Sequence, residues 1–294
     1  MMANITHQLG AKFIFCLHTT PILDTIHFST AIQECGWKKG LAIMLTYPVF
    51  RWYSLHKLHK GHRKNYICSD KVLLLTKSAL MDYAKICKAN LDDGKLDYIH
   101  NPLSFGKPFP VQDIINKKKI VLVVARLSKE KRIDLMLNVW KRIERAGVSD
   151  WQLKLVGEGS EEKRLKKQAK RLQLKYVSFE GVQESESYYE EASIYCMTSQ
   201  HEGFGMTIIE AQQKGVTPIV MDSFPAAKDL IKNGENGILI KFPDTVAFAK
   251  ILISLMKNEY LREKMAAKAI ESSQQFDIKI IGAKWQDLFS KMFL

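Results

Sequence analysis

Two carboxylates stand close together in a glycine-rich segment of this 294-residue chain. Glu202 and Glu210 have seven residues between them, and Gly203 and Gly205 follow the first of them closely. Glycine lets a backbone approach a bound group, and a helix predicted from Met206 would present free N–H groups to an anion. The segment therefore predicts an anion site that is bordered by two acidic side chains.

Carboxylates beside an anion need a role other than neutralising it. Hydrogen bonds to the hydroxyls of a sugar and of a ribose would provide one, because ionised carboxylates only accept hydrogen bonds. The alternative is a plain glycine turn, with Glu202 solvated and Glu210 on an exposed helix face. Spacing alone leaves both interpretations open.

A second cluster consists of two cations that follow an apolar run. Arg126 and Lys131 come after Ile120 to Val124, which has the composition of a buried strand. Strand ends line the ligand crevice of open α/β sheets, so cations there could neutralise a diphosphate leaving group. The alternative is a solvated basic loop.

The elements that must position these residues alternate between strand and helix. The predicted strands of the C-terminal part are Ile120 to Val124, Leu153 to Val156, Tyr176 to Phe179, Ile194 to Met197, Thr217 to Val220 and Ile238 to Ile240. The predicted helices are Ile133 to Ala146, Glu161 to Leu172, Met206 to Lys214 and Thr245 to Lys257. Continuous apolar strands that alternate with helices are typical of a parallel, doubly wound α/β sheet.

The N-terminal part follows this pattern less completely. It contains three predicted strands and one predicted helix: Lys12 to Leu17, Val72 to Leu75 and Leu96 to Ile99, with the helix at Ser78 to Ala89. The chain opens with a polar stretch, Ala3 to Leu9, rather than with a strand and a glycine-rich turn. We therefore expect the N-terminal domain to be incomplete.

Five short blocks keep one order along the C-terminal part. They are Arg126-Leu with Glu130-Lys131, Leu155 to Gly159, Phe179 to Gly181, Glu202 to Glu210 and Gly234 to Gly237. Together they resemble the retaining GT-B glycosyltransferases of the family 4 type (glycosyl transferases group 1). In that family the corresponding motifs are G-R-L…E-K-G, G-x-G, F-x-G, E-x7-E and D-G-x-N-G.

The resemblance implies a role for each matched charged residue. Arg126 and Lys131 would contact the diphosphate of the donor and help it to leave. Glu202 would contact the donor sugar, and Glu210 would hold the ribose of the nucleotide. No cofactor and no metal would be required, since a nucleoside diphosphate sugar of the UDP or GDP type is the co-substrate.

The resemblance also implies roles for residues without a charge. Amides of Gly203, Phe204 and Gly205 would lie against the sugar and the phosphates, and Gly181 would belong to the same donor site. His18 would be the N-domain histidine near the reacting sugar. A lone histidine with no role in binding is the alternative for that position.

The sequence departs from the family pattern at several positions. Ala125 replaces the glycine before Arg126, and Arg132 replaces the one after Lys131, which makes that turn less permissive. In the family, a loop of small residues precedes a glutamate. The corresponding segment here runs from Phe224 to Asp229, so any role of that carboxylate would pass to Asp229. The first strand and glycine loop, which in the family face the acceptor, have no counterpart, so donor binding is better supported than full catalysis.

These observations predict an α/β protein of the GT-B type with two Rossmann-like doubly wound domains, the N-terminal one incomplete. We expect an acceptor-side domain at 1–112, a donor-binding domain at 113–275, and a C-terminal helix at 276–294 that packs back on the N-terminal domain. The expected reaction transfers a hexose to a glycan or lipid-linked acceptor with retention, in surface polysaccharide biosynthesis.

Two alternatives remain for the function. The chain would be a nucleotide-sugar-binding protein that is non-catalytic or depends on a partner, or it would be a sugar-nucleotide epimerase, which needs no acceptor. A nucleic-acid-binding protein is a more distant alternative, because no recognised binding module accompanies the formal net charge of +13.

The basic charge is concentrated in one stretch that also carries aromatic residues. Trp37 to Tyr66 contains seven Lys/Arg and no acidic residue. Such a surface suits anionic lipid, so we expect peripheral contact with the membrane that bears the acceptor; a helix with a merely solvated basic side is the alternative. Its three histidines, His56, His59 and His62, are expected to lie on the surface.

The remaining composition bears on the compartment. The five cysteines include no C-x-x-C pair, and the histidines show no metal-ligand spacing, so neither a disulfide framework nor a metal site is predicted. No signal-peptide core and no run of ~20 apolar residues is present. We expect a cytoplasmic protein, with peripheral attachment to the inner face of the cell membrane.

Overall fold

The computed structural model describes residues 11–18 and 37–293, with the backbone alone for residues 37–51 and residue 54. Contacts within the chain divide it into two compact units, Met1–Ile99 and His100–Leu294. In the part of the chain that is described, no helix is both long and apolar enough to cross a bilayer. The polar stretch Ala3 to Leu9 lies outside the described residues, and the predicted domain boundary at residue 112 stays a prediction.

The N-terminal unit contains a parallel sheet of three strands among its described residues. The strands are β1 (Ile14–Cys16), β2 (Lys71–Leu74) and β3 (Leu96–Tyr98), hydrogen-bonded in that order. Helix α1 (Trp37–Cys68) precedes β2, and helix α2 (Lys77–Cys87) follows it. All three predicted strands and the predicted helix are confirmed, each shortened at one or both ends.

The core of this unit shows one correction to the sequence analysis. His62 of α1 is buried and meets the ring of Tyr83 edge-on, with the ring centroids 5.3 Å apart. Surface exposure was predicted for His62 because the residues around it are basic. In the structure the helix buries this position against α2, while His56, one and a half turns earlier, is exposed.

The C-terminal unit is built on a sheet of six parallel strands. They are β4 (Lys118–Val124), β5 (Gln152–Val156), β6 (Val177–Gly181), β7 (Ala192–Met197), β8 (Thr217–Asp222) and β9 (Ile238–Lys241). Their order across the sheet is β6-β5-β4-β7-β8-β9, and every neighbouring pair is parallel. All six predicted strands are confirmed.

The chain reverses direction across this sheet between β4 and β7. From β4 the strands proceed outward through β5 to β6, after which the chain returns to the other side of β4 and proceeds through β7, β8 and β9. At such a reversal the loops from the carboxyl ends of the two central strands diverge and leave a crevice. The loop after β4 (residues 125–131) and the loop after β7 (residues 198–205) meet at this point.

Helices flank the sheet of the C-terminal unit. They are α3 (Ile133–Arg145), α4 (Glu162–Arg171), α5 (Ser185–Glu191), α6 (Met206–Gln213), α7 (Ala226–Leu230), α8 (Thr245–Lys257), α9 (Glu259–Ser273) and α10 (Ile278–Phe293). Helix α3 shows why they form: its apolar residues recur every three or four positions and are buried, among them Met136, Trp140 and Ile143. The packing of α10 on the N-terminal domain stays a prediction.

Candidate functional site

The loop after β4 packs backbone to backbone against the loop after β5. A Cβ atom built on Gly157 would lie 2.1 Å from the carbonyl oxygen of Ala125, and one on Gly159 would lie 2.4 Å from that of Leu127. The amide of Leu127 also donates to the carbonyl of Glu158 at 2.8 Å. Both glycines are required because any side chain would separate the loops, so this contact fixes the course of the chain after β4.

Lys131 and Glu202 form an ion pair where the two central loops meet. The Nζ atom of Lys131 lies 2.8 Å from both carboxylate oxygens of Glu202. The hydroxyl of Ser199 donates to Oε1 of Glu202 at 2.7 Å. The side chains are 18% and 13% exposed, so water screens this pair less than it screens a surface pair.

Further hydrogen bonds join the two loops. The amide of Gln200 donates to the carbonyl of Glu130 at 2.7 Å. The hydroxyl of Thr198 donates to the carbonyl of Arg132 at 3.0 Å. Because these bonds end on backbone carbonyls between β4 and α3, the relative position of Lys131 and Glu202 does not depend on their long side chains alone.

Arg126 lies in the same loop as Lys131 but in a more open environment. Its guanidinium donates to Glu130 at 3.1 Å, and its side chain is 72% exposed. An exposed pair of this kind contributes ~0.2–1 kcal/mol at most. Arg126 can therefore turn to another anion at little cost.

The loop after β7 ends in a glycine that starts α6. Gly205 has a φ of 95°, which is strained for any residue with a side chain. The side chain of Phe204 is buried, with its ring centroid 5.7 Å from that of His100 and 5.8 Å from that of Phe276. This anchored phenyl ring and the glycine hold the amino end of α6, whose N–H groups and dipole attract anions.

Glu210 lies one turn into α6, and both of its carboxylate oxygens accept hydrogen bonds. Ser104 donates to Oε1 at 2.9 Å, and the buried Tyr189 donates to Oε2 at 3.1 Å. Burial raises the pKa of Glu210, although the two hydroxyl donors favour the ionised form and lower the pKa in part. Neutral donors thus hold this carboxylate, whereas a cation holds Glu202.

Two lysines fix the helix that carries Tyr189. Lys117 donates to the carbonyl oxygens of Tyr189 at 2.8 Å and of Glu190 at 3.0 Å, and burial lowers its pKa to about 7. The buried Lys214 pairs with the carboxylates of Glu186 and Glu190. Together the lysines contact both the first turn of α5 and its carboxyl-terminal half, so Tyr189 has a defined position under Glu210.

Three further residues for which a role was predicted lie outside the two central loops and α6. Gly181 ends β6 with a φ of 72°, and its carbonyl accepts from the amide of Gly157 at 2.7 Å. It therefore belongs to the loops that support the site. His18 is exposed and follows β1 in the N-terminal unit, and Asp229 is exposed on α7.

Comparison with known proteins identifies the family. The sequence model of the family "Glycosyl transferases group 1" matches residues 106–272, which span both central loops and α6. The chain belongs to this family.

Curated relatives of this chain are named as glycosyltransferases. One from Haemophilus influenzae, an uncharacterized glycosyltransferase, is 31% identical over 74% of this chain and 61% of its own length. The amylovoran biosynthesis glycosyltransferase AmsD of Erwinia amylovora is 30% identical over 59% of this chain and 49% of its own. The chain thus spans about half to three fifths of the length of these relatives.

One more relative carries a detailed name. It is an alpha-1,4-N-acetyl-D-galactosaminyltransferase of Campylobacter jejuni, named for an undecaprenol-diphosphate-linked glycan. It is 24% identical over 92% of this chain and 73% of its own length.

Solved structures show the same fold. HepE from Anabaena, in complex with UDP, superimposes with a TM-score of 0.76 at 18% identity, covering 99% of this chain and 75% of HepE. TarM from S. aureus, in complex with UDP among other ligands, gives 0.73 at 21% identity over 95% of this chain and 51% of TarM. The glycosyltransferase fold of the GT-B type predicted from the sequence is confirmed, with a short N-terminal domain.

The group 1 pattern has a glycine after the lysine of its E-K-G block, and this chain has Arg132. Its φ of 49° is left-handed, which explains why glycine suits the position. The strain of a side-chain-bearing residue there is about 1–2 kcal/mol. The guanidinium of Arg132 offsets part of it by donating to both oxygens of Asp134, at 3.0 and 3.1 Å.

Three polar residues of the site were missed by the sequence analysis. Ser104 lies in a segment for which no helix or strand was predicted, Tyr189 in a polar helix that was not predicted, and Ser199 at the edge of the E-x7-E block. Ser199 stands three residues before Glu202, a spacing that favours local hydrogen bonds and could have been noticed. Nothing in the sequence indicates that Ser104 and Tyr189 meet at Glu210.

Proposed function

We propose that this chain transfers a hexose from a nucleoside diphosphate sugar to a glycan or lipid-linked acceptor, with retention at the anomeric carbon, in surface polysaccharide biosynthesis. The observation that carries the proposal is the Lys131–Glu202 pair at the reversal point of the sheet, beside the start of α6. A sugar diphosphate requires a cation and a helix amino end for its phosphates, and a carboxylate that accepts hydrogen bonds from its sugar hydroxyls.

In the proposed reaction the bond between the anomeric carbon and the diphosphate oxygen breaks, and the diphosphate leaves with the electron pair. The acceptor hydroxyl forms a new bond to the same carbon from the same face, and its proton passes to the departing phosphate. Arg126, Lys131 and the amides of Gly203, Phe204 and Gly205 stabilise the charge that develops on the diphosphate.

The two glutamates bind different parts of the donor beyond its diphosphate. Glu202 accepts hydrogen bonds from hydroxyls of the transferred sugar, and Glu210 accepts them from the ribose. The solved structures of HepE and TarM contain UDP, which supports a nucleotide of the UDP type here, with GDP as the second choice. We assign His18 of the N-terminal unit to the reacting sugar on the strength of the family resemblance.

We propose no cofactor and no metal for this transfer, because cationic side chains and the start of α6 can compensate the diphosphate charge. The expected result is that transfer persists in excess EDTA. A loss of transfer that added Mg²⁺ or Mn²⁺ restores would contradict this part of the proposal.

The direct test is a transfer assay. Labelled UDP-glucose, UDP-GlcNAc and GDP-mannose would each be incubated with the purified chain and polyprenyl-diphosphate-linked glycan primers, and label in the lipid fraction would be counted. Transfer that is lost in Lys131→Ala and in Glu202→Ala, with the fold intact by circular dichroism, is expected. Wild-type turnover in either variant would contradict the role of that residue.

A lipid-linked acceptor is favoured by one surface of the N-terminal unit. Helix α1 exposes Trp52 and Tyr53, with side-chain exposures of 66% and 60%, next to exposed Lys57 and Lys60. Aromatic rings beside cations suit an anionic membrane surface, and the Campylobacter relative is named for an undecaprenol-linked substrate. We propose that α1 contacts this surface from the cytoplasmic side.

Vesicle sedimentation tests the proposed contact. The chain should sediment with vesicles that contain anionic lipid at low salt, and Lys57→Glu with Lys60→Glu should release it. The matched control is Lys268→Glu on α9, which removes one cation from an exposed pair with Glu271. Wild-type chain that stays in the supernatant would contradict the proposal.

The alternative function is nucleotide-sugar binding without transfer by this chain alone. The residues that form the described site, Lys131, Glu202 and Glu210 among them, all belong to the unit His100–Leu294, which favours binding by that unit. Saturable donor binding with no transfer to any primer would support this alternative. Epimerised donor formed without an acceptor would instead identify an epimerase.

A further inference from the structure

Two anions compete for the ammonium of Lys131: the carboxylate of Glu202 and the diphosphate of a bound nucleotide. The ammonium lies 2.8 Å from both oxygens of Glu202, and the lysine side chain is only 18% exposed. The proposed function requires the same ammonium to contact a diphosphate. We infer that this pair makes the site prefer the sugar nucleotide over the nucleoside diphosphate that transfer leaves behind; the inference rests on the proposed function.

A nucleoside diphosphate gains little from this arrangement. To reach Lys131 it must share or displace Glu202, and a carboxylate that loses its cation in a partly buried place carries an uncompensated charge. The hydroxyl of Ser199, 2.7 Å from Oε1, is the one neutral donor recorded for Glu202 among the described residues. The diphosphate would also lie near the carboxylate and be repelled by it.

A sugar nucleotide brings its own compensation. Its sugar hydroxyls can donate to the oxygens of Glu202 while its diphosphate takes the ammonium, so each charged group keeps a partner. Hydrogen bonds to an ionised carboxylate are stronger than bonds between neutral groups. The carboxylate therefore favours the complete donor and disfavours the product that has lost its sugar, which promotes product release.

The neighbouring charged pair, Arg126 with Glu130, is too exposed to discriminate between donor and product in this way. Arg126 and Glu130 are joined at 3.1 Å, but the Arg126 side chain is 72% exposed. Water can solvate either partner when the pair opens, so breaking it costs little. Discrimination between donor and product is thus assigned to the Lys131–Glu202 pair alone.

Calorimetric titration of wild type and Glu202→Gln tests the inference. The probes are UDP and GDP, each compared with UDP-glucose, UDP-GlcNAc or GDP-mannose. Glutamine keeps the shape of the side chain but removes the charge. The variant should bind the nucleoside diphosphate about fivefold more tightly than wild type does, while its affinity for the sugar nucleotide should not rise.

The control variants separate this effect from a general change in charge. Glu259→Gln removes one charge from a side chain on α9 that is 70% exposed, and it should leave both affinities unchanged. In a Lys131→Ala background, Glu202→Gln should give a smaller gain, because the competition for the ammonium is absent and only the repulsion of the diphosphate by the carboxylate is relieved. A gain of equal size in that background would overturn the inference.

Two negative results have different meanings. If wild type binds a nucleoside diphosphate and Glu202→Gln binds it equally or more weakly, the inference is wrong and the proposed function stands. If well-folded wild type binds none of the five probes, the proposed function is wrong, and the inference with it.

Discussion

The two ends of the E-x7-E block hold their carboxylates in opposite ways. Glu202 is paired with the ammonium of Lys131 at 2.8 Å, at the loop that starts from β7. Glu210, within α6, is held by the neutral hydroxyls of Ser104 and Tyr189 at 2.9 and 3.1 Å. A charged partner prepares the first end for exchange with a charged ligand, whereas the neutral hydroxyls orient the second as an acceptor for ligand hydroxyls.

Because of this difference, substitutions at the two ends of the motif should have different effects. Changes at the Glu202 end should affect the reaction, because in the proposed transfer charge develops there as the diphosphate departs. Changes at the Glu210 end should affect nucleotide affinity, since the proposed contact with a ribose would be the same in ground state and transition state.

The largest effect is expected at the charged end. Lys131→Ala removes the cation that would stabilise the leaving diphosphate, so kcat for transfer should fall about a hundredfold to a thousandfold. Steady-state kinetics with the accepted donor would measure it. Lys268→Ala, at an exposed position of α9, is the matched loss of a lysine and should keep wild-type kcat.

At the neutral end, Glu210→Ala should weaken nucleoside diphosphate binding about tenfold to a hundredfold, because the ribose hydroxyls lose a charged acceptor. Glu210→Gln should bind more weakly than wild type but unfold at a higher temperature at neutral pH, since it removes a charge that burial disfavours. Calorimetry and thermal unfolding would measure the two changes. A 2′,3′-dideoxy nucleotide should bind wild type and both variants alike; unequal binding would contradict the ribose role.

The two hydroxyls that hold Glu210 should differ in importance. Tyr189→Phe leaves Oε2 without its buried donor and should lower nucleotide affinity about tenfold. Ser104→Ala affects Oε1 in exposed surroundings, where water can replace the hydroxyl, so its effect should stay within about threefold. Equal effects of the two variants in the same titrations would contradict the asymmetry.

Acidification should weaken nucleotide binding through Glu210. Burial raises the pKa of Glu210, and ribose hydroxyls need the ionised carboxylate as their acceptor. As the pH falls, nucleotide affinity should therefore begin to decline at a higher pH than it would if this glutamate were exposed. Stability moves in the opposite direction. The unfolded carboxyl loses its proton first, so Glu210 lowers the free energy of unfolding as pH rises from the unfolded to the folded pKa. Both components should be absent from titrations and melts of Glu210→Gln.

The smallest effect concerns the turn beneath the charged end. Arg132 holds a φ of 49°, so Arg132→Gly relieves strain that Arg132→Ala retains. Both variants lose the bonds to Asp134. The glycine variant should therefore be the more stable of the two by about 1 kcal/mol in urea unfolding, and the reverse order would contradict the strain argument.

Much of the fold follows from patterns that the sequence displays directly. The six strands of the C-terminal sheet were predicted because each is a continuous apolar run, and α3 because its apolar residues recur on one face. Helix α5 was missed because it is polar and buries one residue, Tyr189. Helix α9 was missed because its buried face uses small residues such as Ala266 and Ala269, which give a weak apolar signal.

The site was predictable where its residues lie in short motifs or directly after a predicted strand. Glu202, Glu210 and the glycines between them share one loop and helix, and Lys131 was placed near them by its position after a strand. Ser104 lies 106 positions from Glu210 along the chain, so their contact exists only in the folded protein. The pairing of Lys131 with Glu202, 71 positions apart, likewise needed the strand order.

A calorimetric titration of the purified chain with UDP, GDP and ADP tests the central claim, a nucleotide-sugar site between the loops after β4 and β7, most directly. The account predicts saturable binding of one nucleotide that Glu210→Ala weakens and Lys268→Ala does not. No binding by a well-folded chain, or binding that Glu210→Ala leaves unchanged, would contradict it.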